Sequence, residues 1–535
     1  MGARKQRNIR DNICVVNAIF NSMSKENAEA LDCQVYDIEK CFDALWLHEV
    51  VNCLYEAGFN NDKLPLLFLE NNNAQVAVKS NGGLSHRVNI KDIIMQGSVW
   101  GSLCCVVLMD KLGKMAYNNP ELLYYYKGVV GTPPLQMVDD IMAIQKCSTK
   151  SLKINTAINT FIELEKLTLS KTKSHNVHIG KQSKECPNLK VHGDAMGQSN
   201  QEKYLGDVVD KSGKKRPNIE ARKAKGYGIV SNILAIVDEI PLGHWRVDAG
   251  LRLRQAMLVN GTLYNSEAWH GVSKADMIVL EKVDESLLRG LLKGHSKIPL
   301  EALYLETFSL PIRYIVSCRR LMYLHSILQK SSDEMVKKVL EAQKADTGPG
   351  DFYELVSEDK DSIGLNMSDQ QIQSMSKEKF KSIVKEKTRQ AAFQYLKTIQ
   401  QGHSKMDGLV YNKFEKASYI SSPLFQSENV QLLLALRTRT VRGIKNDFRG
   451  MYPDIECPLE CGEDDTIQHI MECSVLRQHH KSDNVSYSDI KYTDVFSKDV
   501  AKQKQVTELY EQLLEVRTRL LDSEPDTTTG PVHCL

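Results

Sequence analysis

The sequence predicts an α+β fold: a strand-and-helix domain over residues 1–215, helical segments beyond it, and a small cysteine–histidine knuckle near the C-terminus. Three observations predict it. Short apolar runs alternate with helical spacings as far as residue 215, and apolar stripes spaced by three and four residues take over afterwards. Leu135-Gln136-Met137-Val138-Asp139-Asp140-Ile141-Met142-Ala143-Ile144 places two adjacent acids between apolar runs, the pattern of a strand–turn–strand hairpin. Four metal-ligating residue types cluster between Cys457 and Cys473.

The hairpin is the most informative element. Val138 and Ile141 lie on strands that must be partly buried, so the acids between them are held in place. Two carboxylates ~4 Å apart repel by roughly 4 kcal/mol at an effective dielectric near 20, a cost that a cation would remove. An all-oxygen donor set suits Mg²⁺ or Mn²⁺. The plain alternative is a solvated loop, where Asp-Asp pairs are common. Two upstream segments weigh against it. Cys33–Leu45 reads as an apolar strand ending on Asp37, then a helix with apolar positions at Phe42, Leu45, Trp46, Val50, Leu54 and Tyr55 that stops at Gly58. Glu39 and Asp43 read as acids at that helix start. Ile94–Ser102 is a small-residue loop whose glycines let backbone N–H groups approach a ligand, and it leads into the apolar run Leu103–Met109.

A strand-end Asp, a Gln-Gly loop and an Asp-Asp hairpin, in that order, resemble the palm of a reverse transcriptase, most closely the non-LTR (LINE-type) retrotransposon form. Leu167-Thr168-Leu169-Ser170-Lys171-Thr172-Lys173 is similar to the next palm motif, which ends on a lysine, and Tyr204-Leu205-Gly206-Asp207 to the primer-grip turn. Gly2–Asp11 resembles the family's fingertip motif, and Leu263–Trp269 a tyrosine–glutamate–tryptophan element of its thumb, although an ordinary helix–helix contact reads the same way. The resemblance is continuous over residues 1 to about 210.

The resemblance implies a right-hand polymerase with an antiparallel palm sheet, partial fingers and a helical thumb. It implies two divalent ions about 3.5–4 Å apart, the arrangement of two-metal nucleotidyl transfer. Asp37 and Asp139 match the principal ligands and Asp140 the third acid, with the Ile38 carbonyl as a further donor. Phe42 matches the ring that excludes a ribose 2′-OH, against the alternative of a core helix residue. Gln96 and Gly97 match the loop beneath the incoming nucleotide, and Lys173 a proton donor to the leaving pyrophosphate. Arg4 and Lys5 match fingertip cations on the triphosphate, against a solvated face. The sequence departs from the family at Met137, where an aromatic is usual, at Cys41 for Ala, at Cys104-Cys105 for Ser-Pro, and at Lys166 and Ser170 for a Gly and an Asn. None of these removes an acid. Met1 directly precedes the fingertip segment, so the resemblance implies an N-terminally truncated copy.

Composition bounds the partners. With 535 residues, 42% hydrophobic and 25% charged, the chain is long enough for several cores and ordinary for a globular protein. A net charge of +2 restricts any nucleic-acid footprint to local patches. Two qualify: Lys211, Lys214, Lys215, Arg216, Arg222, Lys223 and Lys225, and then Arg437, Arg439, Arg442, Lys445 and Arg449. The alternative for each is a solvated helix face or a nuclear-import signal. No apolar run reaches the ~18–20 residues of a membrane span and no secretory segment is present, which predicts an intracellular protein, nuclear or cytoplasmic. Thirteen cysteines, mostly single in apolar contexts, read as reduced thiols. The exception is Cys457-x3-Cys461, seven residues, then His469-x3-Cys473, four N/S donors for one tetrahedral, structural Zn²⁺. It is similar to the C-terminal CCHC zinc knuckle of non-LTR elements.

The expected organisation is fingers remnant and palm over 1–215, thumb over 216–330, a linker-rich region over 331–376, helices over 377–448, the knuckle over 449–490, and a C-terminal helix and tail over 491–535. The expected function is RNA-directed DNA polymerase, with an RNA template, a DNA primer and deoxynucleotides as partners. A truncated, inactive nucleic-acid-binding remnant is the alternative. An RNA-templated RNA polymerase would share the acids but has no use for a bulky gate at Phe42. The oligomeric state is not legible.

Overall fold

The computed structural model describes residues 8–23, 30–42, 44–59, 62–72, 74–90, 101–146, 148–180, 187–240, 245–445, 454–480 and 490–522. They fall into two compact units, Met1–Ala221 with Tyr264–Asp276 and Val316–Ser382, and Arg222–Leu263 with Met277–Ile315 and Ile383–Leu535.

The first unit begins with helix α1 (Ile9–Met23), strand β1 (Leu31–Asp37), helices α2 (Leu47–Glu56) and α3 (Leu64–Asn72), and four short strands, β2 (Ala74–Val76), β3 (Lys79–Ser80), β4 (Gly83–Leu84) and β5 (Val88–Ile90). Helix α4 (Gly101–Tyr117), strands β6 (Tyr124–Tyr126), β7 (Val130–Thr132), β8 (Leu135–Met137) and β9 (Asp140–Gln145), helix α5 (Ser148–Leu164) and strand β10 (His175–Ile179) follow. The part of the unit before residue 221 closes with β11 (Lys190–Val191), β12 (Asp194–Ala195), β13 (Gly197–Gln198), β14 (Gln201–Tyr204), β15 (Asp207–Asp210) and the first turns of α6 (Arg216–Asp238).

Five strands form the central sheet in the order β13-β10-β1-β9-β8, all neighbours antiparallel except β10 and β13. β1 is the middle strand, and six of its seven residues are buried, the polar Asp32 and Gln34 included: Asp32 is held by Ser151 Oγ and His178 Nδ1, and Gln34 Nε2 donates to the Ser151 carbonyl. The core beneath it joins Tyr36 and Ile38 to Val50 and Leu54 of α2, Cys105, Leu108 and Met109 of α4, and Ile158 and Phe161 of α5. Each fully buried large side chain there contributes about 1.5–3 kcal/mol.

α1 is buried on nearly every side, Asp11, Asn12, Asn17 and Asn21 included. Such burial is tolerable because each of these side chains finds a partner, although Asn12 bonds through Nδ2 alone and leaves its Oδ1 unsatisfied. Asp11 accepts from Tyr323 Oη and Lys330 Nζ at 3.0 Å each, Asn17 Nδ2 donates to the Ala268 carbonyl at 2.9 Å, and Asn21 Nδ2 to Asp351 at 2.7 Å. These bonds explain a difference from the sequence expectation. Residues 264–276 and 316–330, expected within a single thumb, belong to the first unit.

Residues 331–376, expected to be linker-rich, are packed instead. Helices Met335–Ala345, Phe352–Ser362 and Asp369–Gln373 bury Val339, Leu340, Phe352, Val356, Ile363, Leu365 and Ile372. Most of the Lys, Asp and Ser residues that suggested a linker lie on outer faces, while apolar residues three and four apart turn inward; Asp351 and Asp359 are buried but paired, with Asn21 and with Arg320. The expected helix from Phe42 to Tyr55 also begins later. Lys40 has φ +46°, Trp46 is extended, and α2 starts at Leu47, so Glu39 is a loop acid rather than a helix-start acid. Asp43 lies outside the described residues. Ala57 caps α2 and Gly58 leaves it at φ +85°, as the stop signal implied.

The second unit is helical. Ile233 and Val237 pack with Leu258, Val283, Leu287 and Leu291. A second core joins Leu303, Leu433 and Leu434 to Leu509, Tyr510 and Leu513 of the C-terminal helix Val500–Asp522. Buried cations are paired there: Arg254 bidentate on Asp284 at 2.7 and 2.6 Å, and Arg437 on Glu306 at 2.9 Å. Among the described residues, no helix is long and apolar enough to cross a membrane.

Candidate functional site

The two strands of the acidic hairpin pair Leu135 with Met142, Gln136 with Ile141 and Met137 with Asp140, which leaves Val138 and Asp139 as a two-residue turn. Val138 has φ +60°, a left-handed conformation that costs a β-branched residue about 1–3 kcal/mol and survives only where the surroundings enforce it. Val138 packs against the core beneath the sheet, and this contact supplies the enforcement. The opposite strand, β8, is braced from α1 and β14: Asn12 Nδ2 donates to the Gln136 carbonyl at 3.0 Å and Tyr204 Oη to the Leu135 carbonyl at 3.1 Å.

β1 brings the third acid. Its register with β9 sets Asp37 directly opposite Asp140, which fixes the two Cβ atoms about 4.5–5.5 Å apart. Asp37, Asp139 and Asp140 therefore converge at one sheet edge, although about a hundred residues separate the first from the others. The electrostatics register the crowding. Burial, then Asp139, then Asp37 push the Asp140 carboxyl up to about 6 from its ordinary 3.8. Both charged neighbours that raise it are carboxylates, so a divalent cation bound among them would relieve the repulsion.

The segment after α5 completes the edge. Leu169 bridges Ile38, with Glu39 N–H donating to Thr168 at 2.8 Å and Ser170 N–H to the Asp37 carbonyl at 2.8 Å, while Ser174 Oγ accepts from Asp37 N–H at 3.2 Å. This stitching delivers Lys173 Nζ to 3.5 Å from Asp37 Oδ2. The lysine is 69% exposed, so the pair itself adds little stability and the ammonium is available to a ligand. Asp37, Asp139, Lys173, Cys41 and Phe42 line one open cleft of about 490 Å³. Phe42 is both half-buried against the core and on the cleft wall, so its two readings are compatible. Arg4, Lys5, Gln96 and Gly97 lie outside the described residues.

The Tyr204–Asp207 turn closes β14 onto β15 through Leu205 at φ +49° and Gly206 at φ +85°, the two left-handed positions of a tight hairpin. A side chain at Gly206 would meet the Tyr264 ring at 2.9 Å, and Asn265 Nδ2 holds the Leu205 carbonyl at 3.1 Å. The Leu263–Trp269 element is thus a support for this turn. Asn12 and Ser174 had no signal in the sequence, because each acts on a backbone group far away in the chain; Ser170 and Asn265 lie within recognisable motifs, but the distant backbone contacts they make were not legible there.

Three cations of the expected nucleic-acid patches are corrected by burial. Lys215 is spent on Asp207 at 2.6 Å, Arg222 is buried, and Arg437 is locked on Glu306. Local charge density carries no information about burial: Arg222 and Arg437 sit on the inner faces of their helices, and Lys215 precedes α6 in the chain. Lys445 pairs with Asp454 at 3.1 Å, and Arg449 lies outside the described residues.

Near the C-terminus, the ligand atoms of Cys457, Cys461, His469 and Cys473 all lie within 4.8 Å of one another, and Cys461 Sγ is 3.1 Å from His469 Nε2. The turn that carries Cys461 has Glu460 before it at φ +54° and Gly462 after it at φ +82°. Thr466 caps the helix Ile467–Glu472 by accepting from His469 N–H at 2.9 Å, which orients the imidazole toward the thiols. Burial and the neighbouring thiols push Cys457 up to about 12. Three thiols and an imidazole this close are compatible with zinc, which holds sulfur at about 2.3 Å and nitrogen at about 2.0–2.1 Å. Arg517, bidentate on buried Asp465 at 2.7 and 2.8 Å, ties the knuckle to the C-terminal helix.

Residues 1–209, less than half of the chain, match the family model described as reverse transcriptase (RNA-dependent DNA polymerase). This match supports a mixed helix-and-sheet fold of the reverse-transcriptase type over those residues. No curated protein matches the chain significantly. Among solved structures, a telomerase from Candida albicans in complex with a TWJ fragment of telomeric RNA is similar at 12% identity and a TM-score of 0.31, over 67% of this chain and 53% of that one. A telomerase from Candida tropicalis, also with a TWJ fragment of telomeric RNA, is similar at 14% identity and a TM-score of 0.31, over 62% and 52%. The chain spans about half the length of these solved structures.

Proposed function

We propose that the chain is the RNA-directed DNA polymerase of a non-LTR retroelement, extending a DNA primer on an RNA template by two-metal nucleotidyl transfer. The observation that carries the proposal is the register of Asp37 opposite Asp140, beside the Val138–Asp139 turn, on a cleft that also holds Lys173. Asp37, Asp139 and Asp140 would hold a pair of Mg²⁺ or Mn²⁺ ions, which when bound activate the primer 3′-oxygen and neutralise the triphosphate. Phe42, on the cleft wall beside Asp37, stands where its ring would select the deoxyribose, and Lys173 where its ammonium would protonate the departing pyrophosphate. The retroelement assignment rests on the order of the motifs and on the C-terminal Cys₃His cluster, which would take one structural Zn²⁺ and sit in an intracellular, reducing compartment.

Primer extension on poly(rA)/oligo(dT) with Mg²⁺ or Mn²⁺ tests the proposal. Wild type should extend, and Asp139→Asn should lose roughly 1,000-fold or more with its fold intact, the scale of about 4 kcal/mol of transition-state charge stabilisation. Equal rates in the two proteins would refute the assignment of the acids. A folded wild type that binds the primer–template without extending it would favour the inactive remnant.

A further inference from the structure

We propose that Cys41 and Cys105 form a dithiol site that hydroperoxides convert to a disulfide, tying the loop that carries Phe42 to helix α4. The two sulfurs are 3.2 Å apart across 64 residues of chain, one in the turn after β1 and the other on the first half of α4. A disulfide requires about 2.05 Å, so closure needs an approach of about 1 Å, within reach of small rotations of two side chains. Both residues are buried, at 3% and 0% exposure, which holds the sulfurs against one another.

Access is the condition most buried thiols fail, and at 3% exposure Cys41 meets it only through the cleft wall to which its loop belongs. Cys41 lines the open cleft together with Asp37, Phe42 and Lys173, whereas Cys105 is sealed within the core. Cys41 is therefore the sulfur a small oxidant reaches, and Cys105 the one placed to resolve the product. The steps balance. The Cys41 thiolate attacks one peroxide oxygen, the O–O bond breaks, and Cys41 becomes a sulfenic acid as the other oxygen leaves and takes a proton as water or an alcohol. The Cys105 sulfur then attacks the sulfenic sulfur; the S–O bond breaks, hydroxide leaves and takes the Cys105 proton as water, and two thiols have given two electrons to one hydroperoxide.

The bridge would act on the loop Lys40–Phe42, whose left-handed Lys40 and half-buried ring shape the cleft wall. Pulling Cys41 about 1 Å toward α4 moves Phe42, and a displacement of that size costs up to about 100-fold where groups must be aligned for reaction. The consequence for extension rests on the polymerase reading above; the cross-link does not.

The test uses the full-length protein. After hydrogen peroxide treatment, alkylation and digestion without reductant, mass spectrometry should find one peptide pair joined through Cys41 and Cys105, absent after dithiothreitol. Primer extension should fall by roughly tenfold or more and recover with dithiothreitol. Cys105→Ala, which leaves the cleft-lining Cys41 in place, should extend at the basal rate and show no dithiothreitol-reversible loss after peroxide, although it keeps the three knuckle cysteines. Cys105→Ser provides the same comparison at nearly unchanged volume should that variant not fold. Recovery of Cys41 and Cys105 as separately alkylated or over-oxidised peptides would overturn the site. A cross-link that leaves extension unchanged would overturn its effect on the cleft, and protein that never extends but still cross-links would overturn the polymerase reading while upholding the dithiol.

Discussion

Replacing Asp140 by Asn should make the metal-free protein more stable. The carboxyl is held near pKa 6 in the folded protein against 3.8 when unperturbed, because it is half-buried and faces Asp139 and Asp37. The sign follows from linkage. A folded pKa above the unfolded value means that folding takes up a proton, so the ionised group destabilises the fold as pH rises. The cost is absent well below pH 3.8, grows between 3.8 and about 6, and is complete above that. With one pKa unit equal to 1.36 kcal/mol, it comes to about 3 kcal/mol at pH 7.5 and about 1.6 kcal/mol at pH 5, as upper figures for a partly solvated site.

Asn is almost isosteric and uncharged, so it removes this cost and little else. Urea denaturation followed by circular dichroism, in buffer freed of Mg²⁺ but without a chelator that would strip zinc, should show Asp140→Asn gaining up to about 3 kcal/mol at pH 7.5 and about half as much at pH 5. Added Mg²⁺ or Mn²⁺ should narrow the difference, since a ligand that binds only the folded acids stabilises wild type preferentially. A variant that is no more stable than wild type at pH 7.5, or a gain that does not shrink toward pH 5, would refute the convergence of the three carboxylates.

Three further outcomes are expected. Phe42→Val should relax sugar selection, raising ribonucleotide incorporation relative to deoxynucleotide by roughly 10- to 200-fold, the scale of a pocket-size change; an unaltered preference in single-nucleotide kinetics would remove the ring from that role. The purified protein should carry one zinc per chain by atomic emission, and Cys461→Ser should lose it together with the protease resistance of the segment around residues 454–480, because metal affinity there is folding energy. Gly206→Ala should destabilise by about 1–2 kcal/mol and lower primer extension, since alanine would sit at φ +85° with its Cβ 2.9 Å from the Tyr264 ring; a neutral result in denaturant titration would mean the turn is free to move.

What was legible in the sequence shares one property: the signal was local. Asp139-Asp140 stands out because acids interrupt an apolar alternation, and the structure puts the turn at Val138–Asp139, one residue from where the pair alone would place it. The C-terminal helix expected within residues 491–535 runs from Val500 to Asp522 for the same reason, its stripe of Val506, Leu509, Tyr510 and Leu513 being buried on one side. Phe42, Leu45 and Trp46 show where local reasoning fails. Their spacing fits a helix, but it equally fits the turns before one, and the left-handed Lys40 and extended Trp46 that decide the matter leave no pattern. Burial of charge was equally hidden. Arg437 finds Glu306 from 131 residues away, and nothing near Arg437 distinguishes it from an exposed cation.

The site itself depends on a relation that no single segment contains. Asp37 faces Asp140 because β1 is fixed on both edges, Cys33 opposite Ile144 on one side and opposite Val177 on the other. A slip of one residue against β9 would turn Tyr36 and Ile141 out of the core and carry Asp37 to the other face of the sheet, a loss of several kcal/mol of burial at those two residues alone. The apolar residues of β1 thereby set the position of the acid at its end. A substitution deep in the strand, such as Cys33→Asp, should therefore impair chemistry at Asp37 even though it touches neither the cleft nor any ligand, whereas an aspartate introduced at an exposed position away from the cleft, Glu56→Asp, should leave it intact. Comparable primer-extension losses from the two would mean that the strand register does not place the acids.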